Sequence, residues 1–263
     1  MSTARIGDID VAYTEVGTGE PVVMIHGLAE DRHTWSNQQA ALGERHTFAY
    51  DLRGHGDTTI GAAAATLAQL GGDLVGFLEQ VSGPAVVVGF SLGGTVALWA
   101  AARRPDLVRQ AVVLGTSSVV GRAAVGFYHT RMDLAADTGS PEFAAALRDD
   151  TAAGLAVAHE QLDHVVAARL AAVGDGAGYR NAAAAMAALR DDPLTPSLAG
   201  VGVHVDVVGA TQDTFCPLKA AQIILDALPD AHYHEIPDAG HLVNIDNPQG
   251  VTEVLRATLD ERN

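Results

Sequence analysis

Cysteine occurs once in this chain, at Cys216. A single thiol excludes an internal disulfide framework and a thiolate metal site, and a free thiol fits a reducing, cytoplasmic setting. Basic residues are scarce: 16 arginines and lysines stand against 32 aspartates and glutamates, for a formal charge of −16. The field of so acidic a chain repels phosphate backbones and anionic bilayers, so neither nucleic acid nor a membrane is expected as a partner. No apolar run reaches membrane-spanning length, and the first residues, MSTARIGDIDVAYTEVG, contain no basic stretch followed by an apolar one. Secretion and insertion are both disfavoured. Metal-ligand spacing is missing too: H-E-x-x-H does not occur, and His159 and His164 stand five apart, off a single helical face. Gly17-Thr18-Gly19 leads into no helix with a lysine, so it reads as a turn and not as a phosphate loop. Fixed-period repeats, heptads and long charge blocks are also lacking. The expectation is a protein with no metal and no cofactor.

What is present suits an ordinary folded domain. With 263 residues and 48% hydrophobic content, the chain can build one large core, or a core with a modest insertion. Short apolar runs at 9–14, 21–25, 46–50, 85–89, 111–115, 203–209 and 232–236 read as strands, with helical patterns between most of them. That alternation predicts a mostly parallel sheet covered by helices, an α/β class. The rhythm breaks after about residue 118. Residues 123–137, 141–173 and 178–192 read as helices, and no strand run interrupts them. We therefore expect a core of residues 1–118 and 196–263 and a helical cap of residues 119–195 that could roof a site.

Residues 85–94 read AVVVGFSLGG. The three valines suit a strand buried on both faces, and the alanine-rich stretch from Thr95 suits a helix. Between them, Gly89-Phe90-Ser91-Leu92-Gly93 forms G-x-S-x-G, a strand-to-helix turn that exposes the serine oxygen. The plain alternative is a helix cap flanked by packing glycines, and a serine hydroxyl is a weak nucleophile without a base beside it. The later strands supply the missing groups. Asp213 follows one and His241 follows the next, so all three side chains emerge at the carboxyl edge of the sheet, where loops converge on ligands. Histidine can take the serine proton and return it to a leaving group, and aspartate fixes the imidazole tautomer. Backbone N–H groups of Leu92 and Leu28 would hold a developing oxyanion. Asp206 is a rival to Asp213 but lies within its strand. His26 and His55 read as loop-ordering residues, while His129, His159 or His164 of the insertion could face the site.

These motifs resemble the α/β-hydrolase superfamily. The resemblance rests on His26-Gly27 with Trp35, on Asp51-Leu52-Arg53-Gly54-His55-Gly56-Asp57-Thr58, on the serine turn, and on the Asp213 and His241 segments. One departure is the four-residue interval from Gly209 to Asp213, where many relatives have three. The resemblance implies an α/β-hydrolase fold with a short helical cap and a cofactor-free serine hydrolase. Serine at the turn is unlike the aspartate nucleophile of dehalogenases and epoxide hydrolases. Phe90 and Leu242 stand where carbon-carbon bond hydrolases often carry asparagine and tryptophan. Similarity to 3-oxoadipate enol-lactonases and small carboxylesterases, through residues 66–73 and 241–248, implies a small ester or lactone as substrate. Carbon-carbon bond cleavage, or ligand binding with little turnover, remain the alternatives. Phe90, Phe127, Tyr128, Met132, Phe143 and Met186 are the expected substrate contacts, and Arg122, Arg131, Arg148, Arg169 and Arg180 are candidate anchors for an anionic substrate. Association with further copies of the chain stays open.

Overall fold

Neighbouring residues on one strand serve opposite cores. The computed structural model describes residues 1–260. Its eight strands are β1 (Ser2–Ile6), β2 (Ile9–Val16), β3 (Pro21–Ile25), β4 (His46–Tyr50), β5 (Ala85–Phe90), β6 (Val108–Leu114), β7 (Val205–Ala210) and β8 (Ala231–Ile236). They form one sheet in the order β1-β2-β4-β3-β5-β6-β7-β8. β1 pairs antiparallel with β2, and β2 antiparallel with β4; from β4 to β8 every pairing is parallel. On β5, Val87 enters one apolar cluster while Val86 and Val88 enter the other, and Val23 and Ile25 divide from Val22 and Met24 in the same way. Helices cover both faces, which is why these strands carry no polar side.

The helices are α1 (Ser36–Ala41), α2 (Leu67–Phe77), α3 (Leu92–Arg103), α4 (Arg122–Leu134), α5 (Pro141–Gly154), α6 (Leu162–Val173), α7 (Ala177–Ala188), α8 (Thr195–Leu198), α9 (Leu218–Ala227), α10 (Val243–Asp246) and α11 (Pro248–Asp260). Thr66 caps α2 by accepting the Gln69 N–H, and Leu70, Leu74 and Phe77 bury its apolar stripe. Between β6 and β7 the chain is helical, with α4 packed on α7 and α5 on α6. A separate apolar cluster around Phe143, Leu147, Val173 and Tyr179 holds these helices together and reaches Ala29 beside β3.

Three expectations change. β1 has no place among the expected strands because Ser2, Thr3 and Arg5 break its apolar pattern; it is an edge strand joined to β2 at Gly7, whose φ is +57°. The stretch 141–173 is not one helix. It breaks after Gly154, where Leu155 is extended and the Asp246 carboxylate accepts the N–H groups of Ala156, Val157 and Ala158. α3 begins at Leu92, three residues earlier than its alanine content suggests, directly against Ser91. No helix among the described residues is long and apolar enough to cross a membrane.

Candidate active site

The turn from β5 to α3 is built by what glycine lacks. A Cβ at Gly89 would lie 2.3 Å from the Gly93 carbonyl oxygen, and one at Gly93 would lie 2.3 Å from the Ile25 oxygen. Only with both side chains absent can α3 start this close to β3 and β5. The cost falls on Ser91, whose φ of +52° and ψ of −115° are strained for a residue with a Cβ. Ser91 N–H donates to Leu114 O at 2.8 Å, tying the turn to β6.

The loops after β7 and β8 bring the other two groups to this turn. His241 Nδ1 donates to Asp213 Oδ2 at 2.9 Å, which leaves Nε2 to accept from Ser91 Oγ at 3.1 Å. Asp213 Oδ1 accepts the N–H groups of Phe215 (2.9 Å) and Cys216 (2.8 Å). Burial pushes the Asp213 carboxyl up, but the neighbouring His241 and these hydrogen bonds outweigh it and hold the group below the usual carboxylate range. An ionised, immobile carboxylate thus fixes the imidazole tautomer that can receive the serine proton. Phe90 and Phe215 flank the imidazole, with ring centroids 5.1 and 5.2 Å away. Even with the extra residue after Gly209, Asp213 reaches His241. Asp206 is occupied elsewhere, accepting from Gln110 Nε2 and His234 Nε2 at 2.7 Å each.

Leu92 is the first residue of α3, so its N–H is free of the helical ladder, and Leu28 lies in the turn after β3 beside Ser91. Beneath that turn, the Gly27 N–H donates to Glu30 Oε2 at 3.0 Å. Burial raises the Glu30 carboxyl above its ordinary range, and Arg169 offsets part of the rise. His26 is fixed through both ring nitrogens: Nδ1 donates to Gly27 O at 2.7 Å and Nε2 accepts from Leu52 N–H at 2.9 Å. His26 therefore orders the loop after β3, whereas His55 is held only through Nδ1, 3.2 Å from Arg53 O, and its buried Nε2 has no partner among the described residues.

Ser91 and His241 open on two cavities. One, of about 60 Å³, is lined by Leu28, Phe90, Phe127, Tyr128, Asp150, Arg169, Tyr179 and Phe215 among others. The other, of about 490 Å³, is bounded by Val120, Phe127, Tyr128, Met186, Phe215, Cys216 and Lys219. Of the expected contacts, Phe90, Phe127, Tyr128 and Met186 are there and two are not. Met132 faces a separate surface depression with Arg180, and Phe143 is buried against Tyr179. Phe143 points inward because its neighbours on α5 at helical spacing face the cluster that binds the helices to one another. His129, His159 and His164 are exposed and line neither cavity. Phe215, Asp150 and Tyr179 line the cavities without having been expected there, and Arg169 is the one of the five candidate anchors that lines the small cavity beside Ser91. Phe215 stands in the acid loop and could have been inferred from it, whereas nothing in the sequence distinguishes Arg169 from four other arginines. Cys216 lies in the larger cavity, but burial pushes its thiol up to about 12, so it is no rival nucleophile near neutrality. Among the described residues, no group of three histidine, cysteine or acidic side chains could hold a metal ion.

Comparison with known proteins agrees with this geometry. The family model of the alpha/beta hydrolase fold matches residues 20–248. A lipase of Mycobacterium tuberculosis is 31% identical over 272 residues, covering 97% of this chain and 99% of its own length. The 3-oxoadipate enol-lactonase 2 of Acinetobacter baylyi is 25% identical over 270 residues, covering 99% and 97%. The crystal structure of the enol-lactonase from Burkholderia xenovorans superposes with a TM-score of 0.87 at 25% identity, over 98% of this chain and 99% of that one. The chain belongs to the alpha/beta hydrolase fold family and is a hydrolase.

Proposed function

We propose that this hydrolase cleaves a small carboxylic ester or lactone through an acyl-enzyme on Ser91, without a cofactor. The observation that carries this reading is the hydrogen-bond chain from Asp213 through His241 to a strained serine at the mouth of two cavities. Ser91 Oγ attacks the carbonyl carbon as His241 Nε2 takes its proton. The oxyanion accepts hydrogen bonds from the N–H groups of Leu92 and Leu28. Collapse expels the alcohol, which takes the proton from His241, or opens the lactone ring. Water, deprotonated by the same imidazole, then releases the acid. The helical segment 119–195 acts as a cap, because its Phe127, Tyr128 and Met186 bound the space above Ser91. The names of the lactonase and lipase relatives point toward ester and lactone bonds. A small-molecule substrate and a cytoplasmic setting for the free Cys216 belong to the same reading.

Turnover of 4-nitrophenyl acetate and butyrate and of a panel of simple lactones tests it. Hydrolysis with a burst of 4-nitrophenol equal to the enzyme concentration, together with a phosphonate adduct on Ser91 seen by mass spectrometry, is the expected result. Absence of turnover on every ester and lactone, with ligands still bound, would favour a binding protein on the hydrolase fold.

A further inference from the structure

The turn that carries the Leu28 N–H is held from three directions. That N–H has no partner among the described residues, as a donor kept for an oxyanion requires. The carbonyl of its own peptide unit, Gly27 O, accepts from His26 Nδ1 at 2.7 Å. One residue earlier, the Gly27 N–H donates to the buried Glu30 Oε2 at 3.0 Å. One residue later, the Leu28 carbonyl accepts from Arg169 Nη2 at 3.3 Å. Gly27 is wedged as well: a Cβ there would lie 2.9 Å from the Phe90 ring and 3.2 Å from Glu30 Oε2. The turn does not hold this shape by itself, because Ala29 follows with a φ of +61° although it carries a Cβ. Such a residue stays left-handed only where its surroundings over-determine it.

Arg169 is the contact that comes from elsewhere in the chain. His26 and Glu30 belong to the turn itself, whereas Arg169 stands on α6 of the helical segment, 141 residues beyond Leu28. Its Nη1 donates to Thr151 Oγ1 of α5 at 3.0 Å, so one guanidinium joins two helices of the segment to the turn after β3. Its charge also reaches Glu30. Burial raises that carboxyl, and the positive charge of Arg169 favours the ionised form and offsets part of the rise. An ionised carboxylate accepts a hydrogen bond roughly twice as strongly as a neutral group, so Arg169 tightens the hold on the Gly27 N–H as well as on the Leu28 carbonyl.

We propose that Arg169 and Glu30 are positioning residues for the oxyanion hole, holding the Gly27–Leu28 turn so that the Leu28 N–H meets the oxygen that becomes negative when Ser91 attacks. This rests on the hydrolase reading above. In this role neither side chain acts on a reacting atom; both act through the backbone between them. Because Arg169 is carried by α6, the donor is aimed correctly only while the helical segment lies against the β3 turn, and closure of the site is thereby tied to its chemistry. A misaimed donor weakens the transition state far more than the bound ester, whose carbonyl oxygen carries only a partial charge.

The test reads the oxyanion separately from binding. Butyl trifluoromethyl ketone takes Ser91 Oγ at its carbonyl carbon; the serine proton passes to His241 Nε2, and the former carbonyl oxygen becomes an oxyanion. Butyl methyl ketone has nearly the same shape and does not form the adduct. The ratio of their inhibition constants is measured in the wild type, Arg169→Met, Glu30→Leu and Glu30→Gln, together with kcat and KM for 4-nitrophenyl butyrate and the melting temperature. Arg169 belongs to none of the apolar clusters, so its replacement leaves the fold standing even if Glu30→Leu does not fold. Outright loss of one oxyanion donor costs roughly 10²–10³ in kcat, and a misaimed one should cost less. Arg169→Met and Glu30→Leu are expected to lower kcat by about 10- to 30-fold with KM within about twofold, and to shrink the preference for the trifluoromethyl ketone by a similar factor. Glu30→Gln keeps an oxygen that can accept the Gly27 N–H and should recover most of what Glu30→Leu loses. Wild-type kcat and ketone preference in folded Arg169→Met, or a loss confined to KM, overturns the positioning role while leaving the hydrolase reading intact. An Arg169-dependent ketone preference in a protein that hydrolyses no ester keeps the positioning role and overturns the hydrolase reading, and a wild type that shows neither overturns both.

Discussion

Ser91 holds a left-handed backbone at φ +52° although it carries a Cβ. Such strain costs roughly 1–3 kcal/mol, against about 0.5–1 kcal/mol for the greater freedom glycine has in the unfolded chain. The two numbers predict the order of two variants. Ser91→Gly should melt above Ser91→Ala, by about 2–4 °C for each kcal/mol recovered in a chain of this size. Both should lose hydrolysis by roughly a thousandfold or more, since each removes the attacking oxygen. Differential scanning calorimetry and ester assays on the two proteins decide it, and a Ser91→Gly protein that melts below Ser91→Ala would mean that the turn is unstrained. A second contrast concerns the acid. Asp213→Asn keeps the loop but loses the charge and the tautomer it enforces, so kcat should fall by three to four orders of magnitude, roughly as in other triads. Asp206→Asn leaves His241 untouched and should lower the melting temperature by weakening the contacts with Gln110 and His234, with kcat near the wild-type value. Loss of kcat in Asp206→Asn alone would mean that the acid has been misassigned.

Elements carry the site through a few connecting contacts, and these were the least legible part of the sequence. Strand-forming runs, the glycine-flanked serine and the order serine, aspartate, histidine all show in the chain, because each follows from local backbone requirements. Asp246 shows how the remainder is hidden. In sequence it is one acid in a polar stretch. In the fold its carboxylate accepts four backbone N–H groups, three from Ala156, Val157 and Ala158 and one from Gly240, next to His241. It clamps the break between α5 and α6 to the histidine loop, aided by Leu242 N–H donating to Gly154 O at 2.9 Å. A partnership across about 90 residues of chain has no local pattern to announce it. The same limit made Met132 and Phe143 look like substrate contacts: an apolar residue on a helix says that it will be buried, not against which partner. Asp246→Ala should cost about 2–4 kcal/mol, since several charge-assisted hydrogen bonds go at once and leave their donors unpaired. The melting temperature should fall by roughly 5–10 °C, and kcat should fall with it as the histidine loop loosens. A variant with the stability of the wild type would show that the clamp holds nothing.

At the scale of the whole molecule, buried polar groups behind the β3 turn tie the catalytic edge to global stability. The motif at residues 51–58 stood out in sequence without a chemical role, and the fold supplies one. Asp51 accepts the Arg32 N–H at 2.7 Å and also pairs with the Arg32 guanidinium, while Arg53 grips Asp73 with two bonds of 2.8 and 2.6 Å. Between these pairs lie His26 and His55, both fully buried, with ring centroids 5.4 Å apart. Burial drives their imidazoles down from 6.5 to about 4 for His26 and about 3 for His55, and for His55 the neighbouring His26 adds to the fall. In the unfolded chain both would titrate near 6.5. Above that value neither state binds the protons and the pair contributes no pH dependence. As pH falls from 6.5 toward 4, the unfolded chain takes up protons that the folded protein refuses, so stability drops as pH drops. Two such groups give a slope approaching ~2.7 kcal/mol per pH unit in that window. The slope from His26 levels off once pH passes about 4, where the folded protein accepts the proton as well. Urea unfolding at a series of pH values between 4 and 8 should show this decline, steepest between about 4 and 6. His55→Gln removes one of the two protons, so its unfolding free energy should change less steeply with pH than that of the wild type, by about half of the pair's slope, whatever its stability at pH 8. Parallel curves for the two proteins would mean that His55 already carries its proton in the folded state, and that the centre behind the β3 turn is a charged site and not a neutral one.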